Sequence, residues 1–255
     1  MALMMNKQDD YGYFSERGQF YKNVFDGGTG FMRGKQNGSW VEPFDPASVT
    51  VFFTEANAWQ YSFFVPHDID GLIGEHGGNH PFEKKLDELF FGSSHTTGRQ
   101  QADISGMIGQ YAQGNEPSHH VAYLYNFVGA PWKTQMIVRR VLDSLYSSRA
   151  DGLCGNDDCG QLSAWYVMSA LGLYPVTPGD PEYSIGSPLF ERATIHLENG
   201  KEFVIHALNN SKDYKYIQSV NLNGKQFDNL SLKHEDLMHG GIIDFEMGKK
   251  PNHTL

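Results

Sequence analysis

The sequence predicts a mainly α-helical protein that ends in a small antiparallel β domain. Three observations lead to this fold class. Apolar residues recur at helical spacing in several runs, glycine-rich loops separate those runs, and the C-terminal part changes to β-branched and aromatic residues between Asn-Gly turns. We expect the helical region to cover residues 1–186 and the β domain to cover residues 187–255.

The predicted helices begin at proline or polar residues and end near glycine or proline. The clearest one follows Gly160, because Leu162, Trp165, Met168 and Leu171 recur at helical spacing. The other predicted helices are Glu55–Val65, which ends before Pro66, and Pro81–Phe91, Pro117–Phe127 and Pro131–Tyr146. They are interpreted as paired helices with functional loops between them.

Four strands are predicted after the proline-rich string YPVTPGDPEYSIGSPLF, where β-branched and aromatic residues alternate or cluster. They are Ala193–Leu197, Phe203–Leu208, Ile217–Leu222 and Ile242–Met247. The pairs Asn199-Gly200 and Asn223-Gly224 indicate type I′ hairpin turns, which require positive φ at both central residues.

Composition excludes some classes of partner. The 255 residues carry a formal charge of −10, which disfavours binding to nucleic acid or to an anionic membrane. The chain has no run of 18 apolar residues, and the opening stretch Met1–Asp10 lacks the apolar core of a secretory signal. We therefore expect a soluble chain without a membrane span.

The two cysteines, Cys154 and Cys159, enclose the string GNDD. They are too few for a four-cysteine zinc site, and their spacing is not that of a redox CxxC pair. Two free thiols are the favoured interpretation, and a local disulfide is the alternative.

Glu55 is the first candidate catalytic residue. It lies in the aromatic segment VFFTEANAWQYSFFVPHD, where burial would raise its pKa towards that of a general acid. The alternative is a helix-start glutamate that is stabilised by the helix dipole.

Glu116 lies in the second candidate segment, GNEPSHH, at the mouth of a predicted helix. A carboxylate in such a loop can bind a hard cation or sugar hydroxyls. His119 and His120 are adjacent, so they cannot share a helix face and are a poor zinc pair. A core or capping role is favoured for each.

Asp157 and Asp158 form the third candidate segment, in a glycine-bracketed turn before a helix. The pair can hold a cation, activate water, or cap the helix, although capping accounts for only one of them. The spacing is not that of an EF-hand loop. Three acidic segments with embedded aromatics favour glycoside hydrolysis, which needs one carboxylic acid and one carboxylate.

Longer strings carry a family resemblance. TEANAWQYSFFVPHD, GLIGEHGG, GQYAQGNEPSHHVAYLYNFVGAPWKTQ and GNDDCGQLSAWYVMSALGLYPVTPG closely resemble the α-mannosidases of glycoside hydrolase family 92. The likeness runs from about Phe14 to the C-terminus, with Ala56 where the family usually has Gly and Gln113 where it more often has His. It implies that the chain holds the later part of an (α/α)6 barrel and lacks the N-terminal β-sandwich domain.

The resemblance implies an exo-acting α-mannosidase that inverts configuration, uses Ca²⁺, and removes terminal α-linked mannose, with α-1,2 linkages of N-glycans expected. It assigns Glu55 as general acid and Asp158, aided by Asp157, as general base. Asn115, Glu116 and His119 would contact the sugar, and Glu116 and Asp158 the metal. Trp59 and Trp165 are candidate sugar platforms, with core packing favoured for both.

Two other interpretations remain open at this point. The chain can be a truncated, non-catalytic remnant that binds carbohydrate or calcium, since a partial barrel leaves apolar helix faces without partners. It can also be another helical-toroid enzyme such as a sugar lyase, which would need a Tyr or His base. For the full-length enzyme, the resemblance implies a secreted, periplasmic or cell-surface location.

Overall fold

The computed structural model describes all residues, 1–255. Seven α-helices follow one another along the chain: α1 (Gln8–Gly18), α2 (Ala58–Tyr61), α3 (Ile69–Glu75), α4 (Asn79–Phe91), α5 (Pro131–Ser144), α6 (Gln161–Ala170) and α7 (His234–Met238). Four 3-10 helices supplement them: Leu3–Met5, Phe20–Asn23, Glu116–Ser118 and Val121–Val128. The longest α-helix has 14 residues, and none is long and apolar enough to cross a membrane.

Sixteen strands accompany these helices. Those before residue 175 are two-residue ladders: β1 (Phe25–Asp26), β2 (Phe31–Met32), β3 (Lys35–Gln36), β4 (Ser39–Trp40), β5 (Ser48–Val49), β6 (Thr97–Gly98), β7 (Met107–Ile108), β8 (Tyr111–Ala112) and β9 (Leu173–Tyr174). The later strands are β10 (Glu182–Ile185), β11 (Arg192–His196), β12 (Glu202–Leu208), β13 (Tyr216–Leu222), β14 (Lys225–Gln226), β15 (Ser231–Lys233) and β16 (Gly241–Gly248).

The helical region packs around one core of 28 buried residues. Its centre is built from α4, α5 and the Val121–Val128 segment, whose side chains Leu86, Tyr123 and Val138 are fully buried. Helix α5 begins at Pro131, and the N–H that proline lacks would have no partner within the helix at this first position. This core leaves the loops that precede α2 and α6 at the surface, where they can carry functional side chains.

Two predicted helices are shorter or of another type than expected. The segment Glu55–Val65 contains only α2, because Asn57 caps the helix through its side chain and the helix ends at Ser62. Glu55 therefore precedes the helix in a turn, and the helix-start interpretation of this residue is wrong. The segment Pro117–Phe127 forms two 3-10 helices instead of one α-helix.

The C-terminal strands form a five-stranded sheet in the order β11-β12-β16-β13-β14. The expectation of an antiparallel sheet is wrong for one pair, since β12 and β16 run parallel, with Ile205 opposite Ile243. Helix α7 and the strands before it form the crossover that such a pair requires. The sheet covers a second core of 12 buried residues, including Phe203 and Phe245.

The two predicted hairpin turns differ in type. Asn223 and Gly224 both have positive φ, 53° and 76°, which confirms the type I′ turn between β13 and β14. At Asn199-Gly200 only Gly200 has positive φ, and Leu197 pairs with Lys201 across a three-residue loop. This hairpin therefore closes with a longer loop than predicted.

Helix α5 and the C-terminal sheet are joined by buried polar contacts. Arg139 donates to the Pro188 carbonyl and to Asn210 Oδ1, both at 2.9 Å. Gln135 Oε1 accepts from the backbone N–H of Ile217 at 3.0 Å. A three-stranded sheet, β15-β10-β9, also includes strands from before and after residue 187, and the boundary there stays a prediction.

Candidate active site

Glu55 lies in an exposed turn immediately before α2. Its backbone has φ of 58°, the left-handed region that non-glycine residues rarely occupy and that is enriched at functional sites. The side chain is exposed to solvent, so the burial that the sequence suggested is absent from this chain. The backbone of the turn that contains Glu55 is nevertheless firmly held.

A buried polar network holds that turn in place. Asn57 and Gln60 form a capping box, in which each side chain accepts from the backbone N–H of the other residue. Gln110 binds both residues, accepting from Asn57 Nδ2 at 3.0 Å and, through its carbonyl, from Gln60 Nε2 at 3.1 Å. These three side chains are at most 4% exposed, so the network has little freedom to move.

Two glycine loops bring distant acidic residues together. A Cβ built on Gly155 would lie 2.7 Å from the Cα of Gly114, so only glycines allow this backbone approach. The contact places the segment that starts at Asn115 beside the segment that ends at Asp158. Asn115 donates through Nδ2 to the carbonyl of Glu55 at 3.4 Å, which ties in the first loop as well.

Glu55, Glu116 and Asp158 thereby form one group, which we call the carboxylate cluster. The Glu116 side chain lies close to that of Asp158, and Glu55 is near enough to act on it electrostatically. Burial, followed by the Asp158 and Glu55 carboxylates, raises the pKa of Glu116. Burial, followed by Glu55 and Glu116, also raises the pKa of the neighbouring Tyr61 hydroxyl.

Asp157 and Asp158 have different roles in the turn. Asp157 Oδ1 accepts from the backbone N–H of Ser163 at 2.9 Å, so this carboxylate caps α6. Asp158 has φ of 45°, and its exposed side chain faces Glu116 instead. The capping interpretation thus fits Asp157 and leaves Asp158 available for chemistry.

His119 and His120 are buried, with 2% and 4% exposure. His119 Nε2 bonds to the Gln113 carbonyl at 3.0 Å, and His119 Nδ1 lies 3.3 Å from Gln161 Nε2. His120 Nε2 bonds to the Phe63 carbonyl at 2.8 Å. Burial lowers the pKa of both rings to about 4, so both are neutral at pH 7.

The candidate platforms Trp59 and Trp165 pack into the protein. The Trp59 ring meets Phe31 edge to face at 4.6 Å and lies 4.7 Å from the Lys85 ammonium. Trp165 is 1% exposed, and its Nε1 donates to the His119 carbonyl at 2.9 Å. Trp165 is therefore a core residue, as favoured, while sugar binding by Trp59 stays a prediction.

Sequence reasoning missed the residues that support the cluster. Asn57, Gln60 and Gln110 were not singled out, although the spacing of Asn57 and Gln60 is that of a capping box and could have revealed two of them. Tyr61 was also missed. No local pattern indicates it, because its position beside Glu55 and Glu116 depends on how the loops assemble.

The cluster offers only part of a metal-binding set. Nowhere in the chain do three or more His, Cys, Asp or Glu side chains come together as a metal site. Glu116 and Asp158 nevertheless bring two hard oxygen donors close together, and a divalent cation would relieve the repulsion between them. These donors suit Ca²⁺, which accepts further oxygen ligands from backbone, water or sugar.

The cysteines beside the cluster are both free thiols. Burial raises the pKa of Cys154 to about 11, which makes it a poor nucleophile at neutral pH.

Comparison with known proteins gives one consistent result. The sequence profile of the glycosyl hydrolase family 92 catalytic domain matches residues 1–249. A family GH92 α-mannosidase from Bacteroides thetaiotaomicron, also solved with mannoimidazole, is 41% identical, with TM-scores of 0.89 and 0.90 in its two structures. The match covers 99% of this chain and 32% and 34% of those chains.

Two further relatives agree. A family GH92 inverting mannosidase from the same organism is 40% identical, with a TM-score of 0.88, over 99% of this chain and 35% of its own. An uncharacterized secreted glycosidase from Arthroderma benhamiae is 29% identical over 93% of this chain and 32% of its own. The chain thus spans about a third of the length of these relatives. The match over residues 1–249 shows that the chain belongs to glycosyl hydrolase family 92.

Proposed function

We propose that the protein carrying this chain is a calcium-dependent, inverting exo-α-mannosidase that releases terminal α-linked mannose, with α-1,2 linkages of N-glycans as the expected substrates. The observation that carries the proposal is the carboxylate cluster, in which backbone contacts bring acidic side chains from three separate loops near one another. Family membership supports the reaction class, since relatives of this chain are α-mannosidases.

Inverting hydrolysis needs two carboxyl groups with opposite tasks. In our proposal Glu55 donates a proton to the glycosidic oxygen as the bond from the anomeric carbon breaks. Asp158 takes a proton from the water that attacks that carbon from the opposite face. Asp157 holds the turn by capping α6, so it supports Asp158 without contacting the substrate.

The exposure of Glu55 has a consequence for this mechanism. A general acid has to keep its proton in a site shielded from water, whereas the Glu55 side chain is exposed to solvent in this chain. The relatives are about three times as long as this chain, and we propose that the remaining part of such an enzyme buries Glu55. The full site would then lie between this chain and that part, with the N-terminal β-sandwich as the covering domain.

In this proposal Glu116 and Asp158 would hold Ca²⁺. When bound, the ion supplies Lewis acidity and a binding point for the cis hydroxyls of mannose. The Glu116 and Asp158 carboxyl groups already lie close together in this chain, and burial followed by the Asp158 and Glu55 carboxylates raises the pKa of Glu116, so a bound cation would relieve the repulsion between them. The remaining ligands would come from backbone carbonyls, water and sugar.

Sugar binding is proposed for residues around the cluster. Asn115 is buried against Glu55 and presents the Glu116 loop, and Glu116 is placed to meet both sugar and metal. His119 would act through its neighbours, because both of its ring nitrogens bond within the protein. Trp59 would contribute only the part of its ring that the neighbouring Phe31 and Lys85 side chains leave free.

The architecture that fits this function is the later part of an (α/α)6 barrel. Helices α4, α5 and α6 would be members of the toroid, and the loops before α2 and α6 would line its mouth. A location outside the cytoplasm is also proposed, because one relative is a secreted glycosidase.

The experiment follows mannose release from α-1,2-linked mannobiose by the complete protein. Glu55→Gln is expected to lower kcat by about 10²–10⁴-fold, the usual contribution of a general acid. Glu75→Gln is the matched control, as this exposed glutamate at the end of α3 lies outside the cluster. Near-normal turnover by the Glu55 variant would overturn the assignment of the acid.

Two further readouts test the finer claims. EDTA is expected to abolish turnover and added Ca²⁺ to restore it, whereas unaffected turnover would contradict the metal role. Proton NMR at early times should show β-mannose as the first product if configuration is inverted. If the complete protein binds mannobiose but leaves it intact, the chain is a non-catalytic carbohydrate-binding remnant.

A further inference from the structure

His119 has a hydrogen-bond arrangement that fixes its tautomer. Nε2 lies 3.0 Å from the Gln113 carbonyl, which can only accept, so Nε2 carries the hydrogen. The ring is 2% exposed and neutral at pH 7, so it holds one ring hydrogen. Nδ1 is therefore an acceptor.

The tautomer of His119 in turn fixes the orientation of Gln161. The Gln161 side-chain nitrogen Nε2 lies 3.3 Å from the acceptor Nδ1 and donates to it. A reversed carboxamide would set two acceptors against each other. Gln161 Oε1 consequently points away from His119, and it has no hydrogen-bond partner within the chain.

His119 is itself held from two sides. The Gln113 side chain is hydrogen-bonded to the Tyr111 hydroxyl and donates to the Tyr146 hydroxyl at 2.7 Å. The Trp165 indole donates to the His119 carbonyl at 2.9 Å and stacks on Tyr146 with ring centroids 5.9 Å apart. A buried aromatic and amide assembly thus supports one exposed carboxamide.

Gln161 is the first residue of α6 and lies beside the carboxylate cluster. Its backbone N–H bonds to the Asp158 carbonyl at 3.3 Å, in the same turn that presents the Asp158 side chain. An exposed glutamine normally samples many rotamers. Because the hydrogen bond to buried His119 already restricts the Gln161 side chain, binding of a ligand to Gln161 would cost less conformational entropy. The arrangement is that of a pre-organised binding group.

We propose that Gln161 is a sugar-binding residue of this site, with Oε1 accepting a hydrogen bond from a hydroxyl of the mannose that lies against Asp158. His119 is its positioning residue, which keeps the acceptor pointing at the sugar. This inference rests on the proposed mannosidase function. It adds two residues to the site: Gln161, which offers a hydrogen-bond acceptor to the sugar, and His119, which fixes the orientation of the Gln161 carboxamide.

The test uses the complete protein and the sugar mimic mannoimidazole, with the dissociation constant from calorimetry and kcat/KM on mannobiose as readouts. Gln161→Ala is expected to weaken binding and lower kcat/KM by about tenfold, the effect of one lost hydrogen bond. His119→Gln keeps a donor towards the Gln113 carbonyl but loses the Nδ1 acceptor, so it should reproduce most of that loss. His119→Asn, which retains an acceptor near Nδ1, should recover part of it.

A double-mutant cycle separates positioning from a general structural effect. If His119 acts through Gln161, adding His119→Gln to Gln161→Ala should change kcat/KM by less than about twofold. His120→Gln is the control, because it keeps the bond to the Phe63 carbonyl and has no contact with Gln161. Additive losses would overturn the positioning role, and a Gln161→Ala protein with normal affinity would overturn sugar binding.

The same set of variants shows whether a failure concerns the role of Gln161 or the proposed mannosidase function itself. Asp158→Asn serves as the reference. Full turnover by that variant means that the proposed mechanism is wrong. An inactive Asp158→Asn variant together with a normal Gln161→Ala variant overturns only the inference about Gln161.

Discussion

The helical region and the C-terminal sheet use buried polar groups very differently. Fourteen of the seventeen buried polar or charged side chains lie before residue 171. Asn57, Gln60 and Gln110, which lie near the carboxylate cluster, hydrogen-bond to one another. The C-terminal sheet has a core of apolar side chains such as Phe203 and Phe245. Apolar packing stabilises a region without defining exact loop positions, whereas satisfied polar networks do both. The first region is therefore the one that can hold the loops of the candidate site in place.

Large core substitutions should show this difference most strongly. Trp165→Ala and Phe245→Ala each remove a nearly or fully buried ring, and each is expected to lower the free energy of unfolding by about 3–5 kcal/mol. Only Trp165 also binds the His119 carbonyl. We predict that activity per folded molecule falls for Trp165→Ala and is retained for Phe245→Ala, with urea unfolding giving the folded fraction. Equal losses of activity would show that the two regions are not separable.

Acid should weaken the helical region before the sheet. Burial lowers the pKa of His76, His119 and His120 to about 4, and all three lie in the helical region. The unfolded chain binds protons at these sites below about pH 6.5, so stability is full above that pH and is lost as the pH falls towards 4. For fully buried histidines the loss is on the order of 3 kcal/mol each.

Hydrogen exchange at pH 7 and pH 4.5 measures this effect by region. Amides of α5 should lose more protection than amides of β12 and β16. His120→Gln removes one titrating group, and it should reduce the pH dependence of amide protection in the helical region only. A uniform loss of protection in both regions would contradict the comparison.

The smallest expected effect concerns Glu116. Because burial and the neighbouring carboxylates raise its pKa, its ionised form is disfavoured in the folded chain. Glu116→Gln should therefore raise stability slightly at pH 7 in the absence of Ca²⁺, because solvent screens this partly exposed group, and the gain should vanish at acid pH where the carboxyl is protonated. Thermal unfolding with and without Ca²⁺ checks this. Added Ca²⁺ should stabilise the native protein more than the variant.

Local patterns predicted much of the secondary structure. The helix at Pro131 and the four long strands were found to within about two residues, since proline starts and β-branched runs are local signals. The failures were at positions decided by distant contacts. The segment from Glu55 is held in a turn by Asn57 and Gln110, and the parallel pairing of β12 with β16 depends on a crossover.

The residues of the candidate site could be predicted from the sequence, but their arrangement in space could not. Glu55, Glu116 and Asp158 were proposed from the sequence, largely through family resemblance. Their proximity depends on the backbone contact of Gly114 with Gly155, which no local spacing reveals. The different roles of Asp157 and Asp158 could not be predicted either, because they depend on which of the two carboxylates accepts a hydrogen bond from the first turn of α6.

The turnover of an Asp158→Asn variant of the complete protein tests the central claim most directly. With Asp151→Asn, an exposed acid outside the cluster, as the control, kcat on an α-mannoside should fall by about 10²–10⁴-fold for Asp158→Asn and stay near normal for the control. Turnover of the Asp158→Asn variant within a factor of about three of the native protein would contradict the assignment of the carboxylate cluster as the catalytic centre.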